Sequence, residues 1–376
     1  MRIESFARNE VVRARARVLR ALLGVAAIAW LPLPLRAEGV KEDSRAMRPW
    51  TLLGDVRLRT DIVDGLPEGR ELKRGRSFLR LGLAWTPALQ LEVGVAGKTA
   101  LGTDSNRDNR RNNDNEASDG SRLDQAYVRW FPAPTSVLCA GKTELPLWLT
   151  PLVWDHDLRP VGISYSQRIP VRVFDALRFS GGYFAGDHLY GDESRLGAAQ
   201  VGWLWRNGAV RGGDVLVGFL HFENLDRLAR EGLRRTNDGS TGAIASRFQL
   251  LDVQVAGRFA WRKVPGVARL DFVHNFGARE SSGLDNGFRF NLVSGKVEGA
   301  GTGEVGYALQ RIQQDAVLAA FNSDDWWFHS RSSGQTVWVE IGLAPGVSLR
   351  TQAFFERREG LERWSTRILT DLAWRF

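Results

Sequence analysis

The five histidines are the residues that could most readily carry catalysis. His221 and His274 fall on predicted strands, while the other three are His156, His188 and His329. No HExxH, GxSxG or paired-carboxylate motif accompanies any of them. A serine or acidic residue on a neighbouring strand could still complete a triad that sequence spacing does not reveal. We therefore predict a protein that is not an enzyme, and we keep a membrane-embedded hydrolase as an alternative.

An asparagine- and aspartate-rich stretch, residues 103–121, contains oxygen groups that could bind calcium. It has no ordered ligand spacing with a closing glutamate, and Arg107, Arg110 and Arg111 would repel a cation. We interpret it as a solvated loop, and we predict no metal site and no cofactor. The one cysteine, Cys139, excludes an intramolecular disulfide. Cys139 lies on the same strand face as Val137, and we predict that this face contacts lipid.

Arginines at alternate strand positions are the candidates for contact with solutes. The pore-lining set comprises Arg57, Arg59, Arg80, Arg129 and Arg258, and further arginines of the same kind are Arg178, Arg269, Arg289 and Arg350. If these strands cross a membrane, charged side chains are tolerated where they face a water-filled interior, but an arginine or lysine that faces lipid costs about 2–4 kcal/mol at the membrane midplane. A slight excess of arginine over acidic residues suggests a weak anion preference. A mixed lining that only solvates and salt-bridges the wall is the alternative.

The elements that position these residues are strands of period two. In the terminal stretch TRILTDLAWRF, Phe376, Trp374 and Leu372 share one face, and Arg375 and Asp371 share the other. Aromatic residues recur near strand ends, as they do at membrane interfaces. Phe376 and Trp374 are the candidate signal for the barrel-assembly machinery, and the strand that contains them is predicted to close against the first strand.

Polar gaps between the strands alternate between short and long. Short gaps include TPA, KVPG and PG, and long ones include residues 103–121 and NSDDWWFHSRSSG. A soluble sandwich gives no reason for such sorting, whereas an outer-membrane barrel has short turns at one end and long loops at the other. We predict an all-β fold over residues 50–376, a transmembrane antiparallel up-and-down barrel of about sixteen strands, within a range of 14–18. Barrels of sixteen to eighteen strands enclose an aqueous channel.

The first 37 residues combine a basic run, a short proline-containing apolar run and a Leu35-Arg36-Ala37 ending. This pattern predicts a signal peptide, residues 1–37, followed by an N-terminal periplasmic segment, residues 38–49. The leader holds seven basic and two acidic residues, so its removal lowers the net charge from +8 to about +3. No basic cluster remains that would indicate a nucleic-acid partner.

One segment goes beyond periodicity, RLDQAYVRWFPAPTSVLCAGKTELPLWLTPLVWDHDLRPVGISYS at residues 122–166. It resembles the putative porin family of Gram-negative outer-membrane β-barrels through DQAYVRW, Gly141-Lys142 and the run from Thr150 to Gly162. Departures are the longer TELPLWLT link and Val161, where an acidic residue is common. The resemblance implies passive or weakly selective diffusion across the outer membrane.

The apolar, proline-rich part of that segment, residues 146–160, is unlike an external polar loop. We predict that it folds into the lumen as a constriction, with Asp155, Asp157 and Arg159 along the path. An external lid or a contact between protomers are the alternatives.

Together these features predict an outer-membrane porin of a Gram-negative cell that passes small hydrophilic solutes. The alternatives are a dedicated channel for one anionic substrate or polymer and, from other classes, the hydrolase above or a closed structural barrel. The expected partners are outer-membrane lipid, the barrel-assembly machinery, periplasmic chaperones and small solutes. A homotrimer is compatible with the sequence.

Overall fold

The computed structural model describes residues 50–69, 71–102, 114–115, 119–172, 175–185, 193–207, 211–240, 242–279 and 283–376. The predicted signal peptide and the segment 38–49 lie outside the described residues, as does most of the asparagine-rich stretch 103–121.

Sixteen strands form one closed antiparallel barrel in which each pairs with its sequence neighbours and the last pairs with the first. They are β1 (Trp50–Asp64), β2 (Leu72–Ala88), β3 (Leu91–Gly102), β4 (Gly120–Ala133), β5 (Ser136–Lys142), β6 (Val161–Pro170), β7 (Ala176–Ala185), β8 (Arg195–Asn207), β9 (Arg211–Glu223), β12 (Phe248–Trp261), β13 (Val264–Asn275), β14 (Asn286–Gly295), β15 (Gly303–Ile312), β16 (Ser332–Ala344), β17 (Val347–Arg358) and β18 (Ser365–Arg375). The predicted fold class is confirmed.

Between β9 and β12 the chain forms a short helix, α1 (Asp226–Arg230), and a two-stranded sheet of β10 (Gly239–Ser240) and β11 (Ala243–Ile244). A 3-10 turn, Pro67–Gly69, lies between β1 and β2. Among the described residues, no helix has the length and apolar character to cross a membrane.

Alternation along β1 places charged side chains inside the barrel and apolar side chains outside. Leu58 is 50% exposed on the outside, whereas its neighbour Arg59 is only 7% exposed on the inside. Trp50 and Trp85 stack on the exterior with ring centroids 5.5 Å apart, near the β2–β3 turn. Exposed apolar side chains over the whole outer surface are what a barrel presents to lipid, with aromatic residues at the interfaces.

The connections sort by length. One end, here called the short-turn end, carries tight turns such as residues 262–263 and 345–346, and the long-loop end carries 143–160, 224–247 and 313–331. Arg262 and Lys263 both adopt positive φ, 48° and 73°. Such a two-residue turn matches the twist of paired strands, which is why it closes the β12–β13 hairpin.

The barrel closes between β1 and β18, where Gly54 pairs with Phe376. The Phe376 backbone N–H donates to the Gly54 carbonyl at 3.0 Å, and the Gly54 N–H donates to the Phe376 carbonyl at 3.1 Å. The Phe376 ring covers Gly54 so closely that a Cβ atom there would lie 2.5 Å from the ring. Glycine at position 54 is therefore explained by this close approach.

The largest apolar cluster lies inside the barrel. It joins Leu152, Trp154 and Phe321 of two long loops to inward side chains of the wall such as Leu220 and Leu250. The loops therefore fold inward and pack on the wall.

Cys139 corrects the predicted facing of β5. It is 7% exposed and lines an internal cavity together with Val137, whereas Leu138 faces outward at 37% exposure. The prediction of a lipid-facing thiol was wrong because SVLCAGK is small or apolar at both parities, so its alternation does not identify the lumen side.

Candidate solute pathway

The segment 143–160 begins its course across the lumen beside β7, β8 and β12. Arg178 Nη2 donates to the Pro146 carbonyl at 2.8 Å. The Trp148 backbone N–H donates to Gln200 Oε1 at 2.9 Å. The Trp148 carbonyl accepts from Gln200 Nε2 at 3.0 Å and from Gln254 Nε2 at 2.8 Å. These bonds from wall side chains hold the backbone of the segment in one position.

Further along, the segment reaches β13 and β14. The Thr150 hydroxyl donates to the carboxylate of Asp271, and Leu152 is fully buried next to Gly287. Trp154 stacks on Phe321 of the segment 313–331, with ring centroids 5.4 Å apart. The two long segments therefore pack on each other as well as on the wall.

Asp157 marks the point where the segment meets the opposite wall. Its carboxylate lies 3.5 Å from Arg57 Nη2 on β1 and 3.9 Å from Lys98 Nζ on β3. Its side chain keeps 30% exposure, so this ion-pair cluster is open to the lumen. Burial opposes ionisation of Asp157, but the charges of Lys98, Arg57 and Arg159 outweigh it and hold its pKa below the ordinary value.

Asp155 is buried between the two long segments. Its backbone N–H donates to the Phe321 carbonyl at 2.7 Å, and its Oδ2 accepts from Asn115 Nδ2 at 2.7 Å. Asp324 Oδ2 accepts from the Asn115 backbone N–H at 2.6 Å. Burial, together with the negative charges of Asp324 and Asp157, raises the pKa of Asp155. Burial and neighbouring aspartates likewise raise the pKa of Asp324.

Arg159 contacts other residues of the same segment, 143–160. It is 7% exposed, its Nη2 lies 3.0 Å from Glu144 Oε1, and its Nη1 donates to the Leu158 carbonyl at 3.1 Å. Of the three residues predicted along the path, Asp157 meets the wall beside open lumen, whereas Asp155 and Arg159 are enclosed.

The five arginines of the predicted pore-lining set face inward and are paired with carboxylates, including Arg57 with Asp157 as described above. Arg59 lies 2.7 Å from Asp371 and 2.9 Å from Asp325, Arg80 lies 2.8 Å from Asp124, Arg129 lies 3.1 Å from Glu92, and Arg258 lies 2.8 Å from Asp214. Pairing of this kind reduces the positive field that the arginine count alone suggests.

Sequence reasoning missed the segment 313–331 as a second inward element. It supplies Asp324 and Asp325, and Arg367 donates to the carbonyl of Asp325 at 3.0 Å. The available signal was DDWWF, since two tryptophans and a phenylalanine are as unusual in an external loop as the apolar residues of 146–160.

A buried group of Asp61, Arg74 and Asp114 was also not predicted from the sequence. In this group, Arg74 Nη1 lies 2.6 Å from Asp114 Oδ2.

The histidines occupy separate surroundings. His221 lies 3.3 Å from Glu223, His274 lies 3.1 Å from Asn286, and His329 lies 2.8 Å from Asn322. His156 borders the internal cavity, and burial lowers its pKa. His188 lies outside the described residues. In the part of the chain that the structure describes, no three His, Cys, Asp or Glu side chains are grouped as metal ligands would be.

A cavity of about 650 Å³ lies between the segment 143–160 and the wall formed by β4 to β7. Its lining includes Arg129, Cys139, Trp148, His156, Ser166 and Arg178. A cavity of this size would accommodate a small organic molecule.

Comparison with known proteins identifies the fold. No protein-family model matches the sequence, and no curated protein matches it. Among solved structures, Pseudomonas putida OprB at high pH superposes with a TM-score of 0.60 at 12% identity, over 87% of this chain and 94% of that chain. OmpT of Vibrio cholerae, an outer membrane protein solved without loop L8, gives 0.51 at 10% identity over 87% and 100%. A triple mutant of Rhodopseudomonas blastica porin gives 0.50 at 11% identity, also over 87% and 100%. The chain has the fold of the Gram-negative outer-membrane porins.

Proposed function

We propose that this protein is an outer-membrane channel through which small hydrophilic solutes diffuse, with the segment 143–160 as its constriction. The observation that carries the proposal is a barrel with an apolar exterior whose interior contains charged side chains beside an inward segment. A charged interior suits water and hydrated solutes, and an apolar exterior suits lipid. The outer membrane of a Gram-negative cell is the location that fits this fold.

The proposed selectivity is weak and favours anions. Most of the wall arginines named above are balanced by carboxylates, so no strong field of one sign follows from them. Arg178 and Arg289 differ, because their hydrogen-bond acceptors are the Pro146 carbonyl and the Gln310 side chain and not carboxylates. An unbalanced arginine beside the constriction favours anions modestly.

Deletion of residues 146–160 tests the constriction. Lys142 and Val161 are paired across β5 and β6, so residues 143–145 can close the hairpin as a three-residue turn. In proteoliposomes, the deletion variant should admit larger sugars and swell several-fold faster than the full-length chain. Heat-modifiable migration on gels would establish that both barrels are folded. Equal swelling rates for folded samples would contradict the role of this segment.

A further inference from the structure

The surroundings of Arg178 differ from those of Arg59, Arg80, Arg129 and Arg258, each of which is paired with a carboxylate. Its Nη2 donates to the Pro146 carbonyl, and its buried Nη1 has no hydrogen-bond partner among the residues that the structure describes. Within the described ranges, no carboxylate lies within ion-pair distance of its guanidinium, whereas Arg129 and Arg159, which line the same cavity, are paired with Glu92 and Glu144. Among the described residues, Arg178 is therefore the one arginine of the cavity lining that lacks a compensating carboxylate.

Trp148 is positioned beside this cation. The Arg178 guanidinium carbon lies 3.9 Å from the centroid of the Trp148 ring. The side chain of Trp148 is 41% exposed although it lies inside the barrel, and its backbone is fixed by Gln200 and Gln254. A tryptophan held rigidly with open ring surface costs little conformational entropy when a flat apolar group packs on it.

The rest of the cavity lining combines apolar and polar side chains. Phe131, Leu145 and Leu147 supply apolar surface, and Ser164 and Ser166 supply hydroxyl groups. The guanidinium has an N–H edge that matches a carboxylate in geometry and charge. Apolar walls around one unbalanced arginine favour a molecule that has an anionic head and an apolar body.

We infer that this cavity is a binding site for small organic carboxylates with a planar apolar body, the carboxylate on Arg178 and the body against Trp148. The inference rests on the proposed channel function and adds a substrate class to it. A simple inorganic anion would use Arg178 but not the apolar walls, and a neutral aromatic molecule would use the walls but not the charge. Both parts together therefore define the preferred ligand.

Binding can be measured by ¹⁹F NMR on the folded full-length mature chain in detergent, with empty micelles as the baseline. The probe is 4-fluorobenzoate, and the comparison probes are 4-fluorobenzyl alcohol, which lacks the charge, and fluoroacetate, which lacks the ring. We expect 4-fluorobenzoate to bind about tenfold more tightly than either, because a charge-assisted hydrogen bond and ring burial each contribute at this level.

Substitutions at Arg178 and Trp148 separate the contribution of the charge from that of the ring surface. Arg178→Gln should weaken 4-fluorobenzoate at least tenfold, Arg178→Lys should keep an intermediate affinity, and Trp148→Leu should remove the preference for the ring. Arg258→Gln is the matched control, because Arg258 is an inward arginine outside the cavity lining. This variant should bind 4-fluorobenzoate with the affinity of the unmodified chain.

Equal affinity of Arg178→Gln and the unmodified chain would overturn the inference, as would equal binding of the alcohol and the acid. Ion conductance of the same samples distinguishes this failure from that of the channel proposal. A barrel that conducts ions but does not bind 4-fluorobenzoate would support the channel proposal and refute the binding site. A folded barrel that binds the probe but passes no current would support the site and refute the channel.

Discussion

Arg57 Nη2 on the first strand lies 3.5 Å from Asp157 Oδ2, and this ion pair ties the inward segment 143–160 to the barrel wall opposite its other contacts. Asp157→Asn should release the tip of the segment, because an amide holds Arg57 and Lys98 only weakly. It should also leave these two cations less balanced, so that anion selectivity and open-channel current noise both increase. Single-channel recording checks this, with Asp157→Glu as the charge-preserving control.

The pH dependence of that pair has a definite sign. A carboxyl whose pKa is lowered in the folded state contributes stability above its ordinary pKa of about 4, and the contribution is lost as the pH falls further. Current noise should therefore stay constant from about pH 5 to pH 8 and rise below about pH 4. Constant noise and selectivity in Asp157→Asn would contradict the tethering role.

Asp155 should show the opposite pH dependence. Its pKa is raised by burial and by Asp324 and Asp157, so the packing of the segments 143–160 and 313–331 is most stable at low pH and weakens as the pH rises through the raised value. Asp155→Asn removes the charge and keeps an acceptor for Asn115. Hydrogen exchange of residues 320–324 at pH 8 should slow about tenfold in this variant, equivalent to about 1.4 kcal/mol.

Comparison at pH 4 provides the control for that experiment, since the two proteins should exchange alike there. Faster exchange in Asp155→Asn at pH 8 would mean that the ionised carboxylate stabilises the contact.

Phe376 should matter for assembly. Its backbone pairs with Gly54 and its ring covers that glycine, so removal of the last residue takes away two hydrogen bonds at the seam between β1 and β18. We predict that deletion of Phe376 lowers the folded, membrane-inserted fraction several-fold, measured by heat-modifiable migration of the outer-membrane fraction. Phe376→Tyr keeps the aromatic ring and should assemble normally. Normal assembly of the deletion would refute the predicted signal.

Cys139 reports directly on the interior. Because it lines the internal cavity, a small water-soluble thiol reagent that enters the lumen should modify it and reduce the current. A lipid-soluble maleimide delivered in the bilayer should react at least tenfold more slowly. Cys139→Ser, which lacks the thiol, should be insensitive to both reagents. Preferential reaction with the lipid-soluble reagent would place the thiol on the exterior.

The barrel could be predicted from the sequence because its signals are local. Period two along a strand, as in Phe376, Trp374 and Leu372, follows from backbone geometry alone. The alternation of short and long gaps gives the two ends of the barrel and a strand count close to that observed. The inward direction of Arg57 and Arg59 follows from the same parity.

The site could be predicted only in part because it depends on contacts between distant residues. Whether an inward arginine is neutralised depends on strand register and on the course of the loops. The pairing of Arg129 with Glu92, and the lack of a carboxylate beside Arg178 in the described part of the chain, therefore have no local signal. The inward course of 313–331 is fixed by packing such as that of Phe321 on Trp154. Cys139 was misplaced because both faces of β5 are small or apolar.

The proposed channel holds an open aqueous path narrowed by the segment 143–160, and single-channel recording of refolded residues 38–376 across a salt gradient tests this proposal. We expect discrete current steps, a reversal potential that indicates weak anion preference, and larger steps when residues 146–160 are deleted. A correctly folded barrel that remains electrically silent with and without that segment would contradict it.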